Sequence, residues 1–179
     1  MDDRSVFHII SDVTHEQGVP CVLIGGFAIN YYKVTRQTAD VDFLITKEDF
    51  QKITALLEKA GYKKALVQEN FAQFESSRLS LMDVDFMFVE QDTLKQIMKE
   101  GQEIKIVGQT FIVPSLYHLV ALKLHSIKHN PKIRLTKDFP DIINLIRING
   151  MDSKSGKFKE LCLKYGTAEL YNKILEALA

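Results

Sequence analysis

Apolar positions along this chain change their rhythm several times, and each rhythm predicts an element. Val6, Ile9, Ile10 and Val13 recur at helical spacing, so Ser5 to Gln17 reads as an amphipathic helix. Pro20 to Ile24 is a short apolar run of the kind that forms a buried strand, and Gly25-Gly26 ends it. Phe27 to Val34 reads as the helix that follows at once. Val41 and Phe43 then alternate with Asp40 and Asp42, a strand pattern with one apolar and one acidic face. Thr46 stands where an N-cap belongs for a helix over Lys47 to Ala60, and Gly61 closes that helix. Strands are expected at about Tyr62 to Gln68, Phe71 to Glu75 and Leu79 to Val89, and a short helix from Asp92 to Glu100. Glu103 to Val107 and Thr110 to Val113 form a hairpin around Gly108-Gln109. Beyond Pro114 the pattern is helical. Pro140 is expected in the first turn of a helix running to Asn149, where proline is tolerated, and Gly150 and Gly156 punctuate the last two helices.

Strands that alternate with helices and then give way to helices alone predict an α+β chain: a small mixed β-sheet flanked by helices, followed by a helical C-terminal region. The boundary falls at residues 1–115 and 116–179. At 179 residues and 46% apolar content, the chain can bury a core of ordinary size. No stretch approaches the roughly 20 apolar residues of a membrane span, and Met1-Asp2-Asp3-Arg4 lacks a signal-peptide pattern. Cys21 and Cys162 lie far apart in segments that read as buried, which suits reduced thiols. A cytoplasmic location is the expectation.

The candidate chemistry is carried by acids. In a strand, Asp40 and Asp42 point to the same face, about 6.6 Å apart along the chain. Two ionised carboxylates so placed repel, and a cation between them relieves the repulsion. Oxygen donors suit Mg²⁺ or Mn²⁺, which typically work beside substrate phosphates. The glycines upstream fit that picture, because residues without a Cβ let a phosphate approach the backbone at a helix start. A further acid sits in Leu79 to Val89, where Asp83 and Asp85 share one face and Val84 and Phe86 the other. Acids are uncommon in buried strands unless paired or metal-bound. Asp85 is the first choice for the acid that orients an attacking hydroxyl, and Asp83 its substitute should the register differ by two.

Gly25-Gly26, Asp40-x-Asp42 and a lone strand acid at Asp85 together resemble the nucleotidyltransferase superfamily that includes DNA polymerase beta. Arg36-Gln37-Thr38-Ala39-Asp40-Val41-Asp42 is similar to the Arg-x-Thr-x-Asp-hydrophobic-Asp stretch of its small bacterial members. The helix opened by Pro114-Ser115 and bearing Lys123, with the Lys137-Asp138-x-x-Asp141 segment, resembles toxin-type nucleotidyltransferases of the abortive-infection class. Gly-Gly replaces the Gly-Ser of many relatives, which keeps the turn and removes a hydroxyl. The resemblance implies a nucleotidyltransferase fold, with residues 1–115 as catalytic core and 116–179 closing the nucleotide cleft. It also implies Asp40, Asp42 and Asp85 as catalytic residues and metal ligands. Gly25, Gly26, Arg36, Thr38, Lys123 and Lys137 would bind the nucleotide. The implied reaction moves a nucleoside monophosphate from an NTP, ATP among the expected substrates, to an acceptor hydroxyl, with Mg²⁺ or Mn²⁺. The acceptor could be a tRNA end or other RNA, a protein, or a small molecule such as an antibiotic. A cognate toxin or antitoxin partner is a further expectation, and a non-catalytic nucleotide- or partner-binding module is the alternative.

Charge sharpens this only slightly. Residues 1 to 115 hold 12 Lys and Arg against 17 Asp and Glu, and residues 116 to 179 hold 11 against 6. An acidic part carrying a metal site and a basic part suit a polyphosphate ligand. No long basic run argues for tight general nucleic-acid binding. There is no Walker-type glycine-lysine loop, which speaks against P-loop hydrolysis. His125 and His129 are four apart on one helix, but no acid or cysteine nearby completes a zinc set.

Overall fold

The structure, a computed structural model, describes residues 4–179. Met1-Asp2-Asp3, part of the segment read above as lacking a leader pattern, lies outside them. The chain divides into two compact units, one of residues up to Ala28 with Gln37–Pro114, the other of Ile29–Arg36 with Ser115–Ala179.

In the first unit, α1 (Val6–Glu16) precedes β1 (Val22–Leu23), and α2 (Gly25–Tyr31) follows, its first residues belonging to this unit and its last to the second. Next come β2 (Asp40–Ile45), α3 (Lys47–Lys59), β3 (Tyr62–Val67), β4 (Phe71–Ser76), β5 (Asp83–Phe88), α4 (Gln91–Glu100), β6 (Gln102–Ile106) and β7 (Gln109–Val113). Five strands make a mixed sheet in the order β1-β2-β5-β4-β3, in which β2 and β5 alone are parallel. β6 and β7 form a separate hairpin. Val41 and Phe43 of β2 and Val84 and Phe86 of β5 are all fully buried. The Phe50 ring of α3 lies 5.4 Å from that of Phe86, and Phe111 of β7 stands 5.7 Å from Phe43 and from Phe7. The apolar faces of β2 and β5 are thus sealed by α1, α3 and the hairpin. Their acidic faces point the other way.

The second unit is helical: α5 (Leu116–His129), α6 (Pro131–Asn149), α7 (Gly156–Tyr165) and α8 (Ala168–Leu178), with the segment Ile29–Arg36. Leu124, Ile142, Leu145, Phe158, Cys162 and Ile174 are fully buried among them. Burial pushes the Cys162 thiol up to about 12, so it stays protonated and unreactive at neutral pH. Asn149 Nδ2 donates to the Tyr32 carbonyl at 3.0 Å, tying α6 to the Ile29–Arg36 segment.

The α+β expectation holds, and several element boundaries differ from their sequence pattern, three of them with a bearing on the site or the helical unit. α2 starts on the two glycines rather than after them. The strand expected from Leu79 begins only at Asp83, because Ser76 N–H donates to Asp83 Oδ1 at 2.8 Å and residues 77–82 turn back between β4 and β5. Pro140 lies inside α6, not in its first turn; the proline at the helix start is Pro131. Pro140 forfeits one main-chain hydrogen bond. The burial of Ile142, Ile143, Leu145 and Ile146 on α6 offsets that loss.

Thr46 caps α3 as expected. Its Oγ1 accepts from Asp49 N–H at 3.1 Å, and its hydroxyl lies 2.9 Å from Asp49 Oδ2. Thr46→Ala removes both contacts, so stability should fall by about 1–2 kcal/mol in urea unfolding followed by circular dichroism.

Candidate active site

The register of the one parallel strand pair builds the site. Asp42 of β2 lies directly opposite Asp85 of β5, and Asp40 two residues back on β2 faces the same side. One carboxylate oxygen from each of Asp40, Asp42 and Asp85 lies within 4.8 Å of the others. Among the described residues, this is the only group of three or more acids, histidines or cysteines close enough to hold one metal ion. Asp83 is not part of it: it pairs with Asp40 across the strands, is exposed, and spends Oδ1 on the Ser76 amide.

Three carboxylates at this spacing repel by roughly 1–3 kcal/mol per pair at surface-like dielectric. A divalent cation reverses the sign of that energy. Hard oxygen donors on a half-buried, otherwise rigid strand pair fit Mg²⁺ or Mn²⁺ and do not fit a soft-ligand zinc site.

Neutral donors steady two of the three acids. The Thr38 hydroxyl lies 2.8 Å from Asp40 Oδ1 and 3.1 Å from the Asp40 carbonyl. Gln73, opposite Asp85 on β4, donates from Nε2 to Asp85 Oδ2 at 3.1 Å. Asp42, Asp85 and Gln73 therefore stand in one row across three strands. Sequence reasoning missed Gln73. Its signal was the polar position between buried Ala72 and Phe74, visible only once β4 is known to pair with β5.

The glycines serve this row as well. A Cβ at Gly25 would run into the Asp42 carboxylate, and one at Gly26 would come within 2.6 Å of Thr38 Cβ. Gly25 also has φ +62°, which a side chain resists. The missing side chains let α2 begin flush against β2.

The remaining residues expected to bind nucleotide lie in the second unit. Lys123 is buried, its Nζ 2.8 Å from Asp138 Oδ1 and 2.7 Å from Asp141 Oδ2. Arg36 donates to the same Asp141 carboxylate, and Asn30 brackets Arg36, accepting its N–H at 2.7 Å and donating to its carbonyl at 3.0 Å. Two cations and two anions thus neutralise one another inside this unit. Lys137 is exposed on α6. His125 and His129 stack with ring centroids 4.1 Å apart, and His129 Nδ1 lies 2.9 Å from the His125 carbonyl.

A family model described as "uncharacterised nucleotidyltransferase" matches residues 8–178, and the chain belongs to that family. The fold is shared with solved structures of low identity. The antibiotic-resistance factor ANT(2")-Ia, solved in complex with adenylyl-2"-tobramycin, is 16% identical, with a TM-score of 0.57 and 97% of each chain covered. An antigenic nucleotidyltransferase-like protein from Paracoccidioides brasiliensis is 16% identical, with a TM-score of 0.58, covering 97% of this chain and 90% of that one. The lincosamide antibiotic adenylyltransferase LnuA, solved with lincomycin bound, is 17% identical, with a TM-score of 0.54 over 80% of this chain and 95% of the other. No curated protein matches the sequence. Among the described residues no helix is long and apolar enough to cross a membrane.

Two outcomes follow from this packing. Gly25→Ala should destabilise by about 1–2 kcal/mol for the left-handed backbone alone, with a further cost as Asp42 is displaced; urea melts and Mn²⁺ titration of the variant read the two effects. Lys123→Met leaves Asp138 without its ammonium partner, and stability should fall by about 3–5 kcal/mol in urea unfolding at neutral pH.

Proposed function

We propose that this nucleotidyltransferase is metal-dependent and moves a nucleoside monophosphate from an NTP to an acceptor hydroxyl. Asp40, Asp42 and Asp85 would hold Mg²⁺ or Mn²⁺. The observation that carries the reading is the carboxylate triad, three oxygen donors brought within 4.8 Å of one another. When bound, the metal supplies charge neutralisation and orientation for the triphosphate. The residues of the chain do the rest. Asp85 receives the proton of the acceptor hydroxyl and aims its oxygen at the α-phosphorus. The backbone at Gly25 and Gly26, packed beside Asp42 and Thr38 at the start of α2, would receive the phosphates. Bond formation from the acceptor oxygen to the α-phosphorus releases pyrophosphate. Most of the rate gain comes from positioning and electrostatics.

Thr38, beside Gly26, lines the same nucleotide site. Lys137 is kept as a phosphate contact because it is exposed, whereas Arg36 and Lys123 are committed to Asp138 and Asp141. For those two we favour building the helical unit over touching phosphate.

The acceptor reading drawn from the sequence motifs is an RNA, a tRNA end among them, or a protein hydroxyl, in a toxin-type enzyme with a cognate partner protein. The Lys123 helix and the Lys137-Asp138-x-x-Asp141 segment support it. A small-molecule hydroxyl is the second reading, supported by likeness over nearly full length to ANT(2")-Ia and over four-fifths of this chain to LnuA. Labelled NTPs with Mg²⁺, offered with total tRNA, with protein extract, or with an aminoglycoside and a lincosamide, separate the two by which acceptor gains label. Pyrophosphate release by the wild-type chain should drop roughly 10²–10³-fold or more in Asp42→Ala, with its circular dichroism spectrum unchanged. Full transfer by that variant would exclude the mechanism. Nucleotide-dependent thermal stabilisation without any pyrophosphate would instead indicate a binding module.

A further inference from the structure

The two neutral donors in the site have a role beyond filling hydrogen bonds. Thr38 Oγ1 has one hydrogen to give. It lies closer to Asp40 Oδ1, at 2.8 Å, than to the Asp40 carbonyl, at 3.1 Å, and an ionised carboxylate is the stronger acceptor. Gln73 Nε2 gives a hydrogen to Asp85 Oδ2 at 3.1 Å. Each donor engages one oxygen of its acid, which holds the carboxylate in its rotamer. Neither donor carries charge. A lysine or arginine in either place would cancel the negative potential that the triad concentrates, whereas a hydroxyl and an amide fix geometry without doing so.

Both donors are themselves held. Thr38 packs against the Cβ-free face of Gly26, so its side chain has little room to rotate. Gln73 sits in ladder register with Asp85, on a strand anchored by Ala72 and Phe74, which are buried on its opposite face. The two arrive from different elements: Thr38 from the segment just before β2, Gln73 from β4.

We propose that Thr38 and Gln73 are a pair of positioning residues that preset Asp40 and Asp85 for a divalent cation before nucleotide arrives. The inference rests on the metal-site reading above. Their function is to hold the acids converged against mutual repulsion, so that cation binding meets a formed site rather than assembling one. For Thr38 this replaces direct nucleotide contact as its principal role. For Gln73 it assigns a role to a residue outside the acidic motifs.

Mn²⁺ alone, titrated into the full chain without nucleotide and followed by electron paramagnetic resonance, tests the proposal. Thr38→Val keeps the shape beside Gly26 and removes the hydroxyl; Gln73→Met keeps the length and removes the amide. Each should weaken Mn²⁺ binding about 10-fold or more, the scale of losing a hydrogen bond to a metal ligand, with an unchanged metal-free melting temperature. Thr38→Ser retains the hydroxyl and should bind Mn²⁺ as the wild type does, which a purely structural role for the Thr38 methyl would not give. Wild-type affinity in both Thr38→Val and Gln73→Met would overturn the proposal while leaving the metal site standing. Absence of Mn²⁺ binding in the wild type itself would remove the metal site and the positioning pair together.

Discussion

Like-charge repulsion held in check by apolar burial is the constraint on which this molecule depends. The parallel register of β2 and β5 sets Asp42 opposite Asp85 with Asp40 beside them, an arrangement that costs roughly 1–3 kcal/mol per pair of ionised acids. The same strands bury Val41, Phe43, Val84 and Phe86 on the reverse face. Each such side chain stabilises by about 1.5–3 kcal/mol, so the apolar face sets the register and the acids must accept it. A slip of one residue would turn the acids into the core and the phenylalanines to the open face, so no intermediate register competes.

Everything near the triad reads as support for that arrangement. Gly25 and Gly26 have no side chains because Asp42 and Thr38 occupy the space a Cβ would need. Thr38 and Gln73 reach the outer acids with neutral donors, which orient without neutralising. The triad thereby gathers three carboxylates on one face of the β2–β5 pair.

The helical unit handles charge in the opposite way. Its acids, Asp138 and Asp141, are more than nine-tenths buried, with relative exposures of 4% and 7%, and they meet Lys123 and Arg36 directly. Buried charges at that depth need partners within the fold. The Lys-Asp-x-x-Asp spacing that looks like ligand chemistry in the sequence is, in the folded chain, the pattern that sets two carboxylates on one face of α6 toward one ammonium. The same residue types therefore form a carboxylate cluster in one unit and ion pairs in the other. Partner distance separates the two cases.

What the sequence determined by itself was local and periodic. Alternation in Asp40-Val41-Asp42-Phe43 and Asp83-Val84-Asp85-Phe86 marked two strands with acidic faces, Thr46 marked a helix start, and the motif order around Gly25-Gly26 marked the nucleotidyltransferase family. Helical spacing likewise announced the C-terminal helices, though Pro140 misled as to where α6 begins, since local proline preference is weaker than the burial it interrupts. Only the tertiary structure decided which strands are neighbours. Strand pairing between β2 and β5, and between β5 and β4, joins residues more than forty and about ten positions apart, and no local pattern encodes such a pairing. That pairing chose Asp85 over Asp83 and brought Gln73 to the site, while the packing of α5 on α6 gave Lys123 its two aspartates. Side-chain periodicity is a property of the single strand or helix; the choice of partner is made by the burial of whole faces.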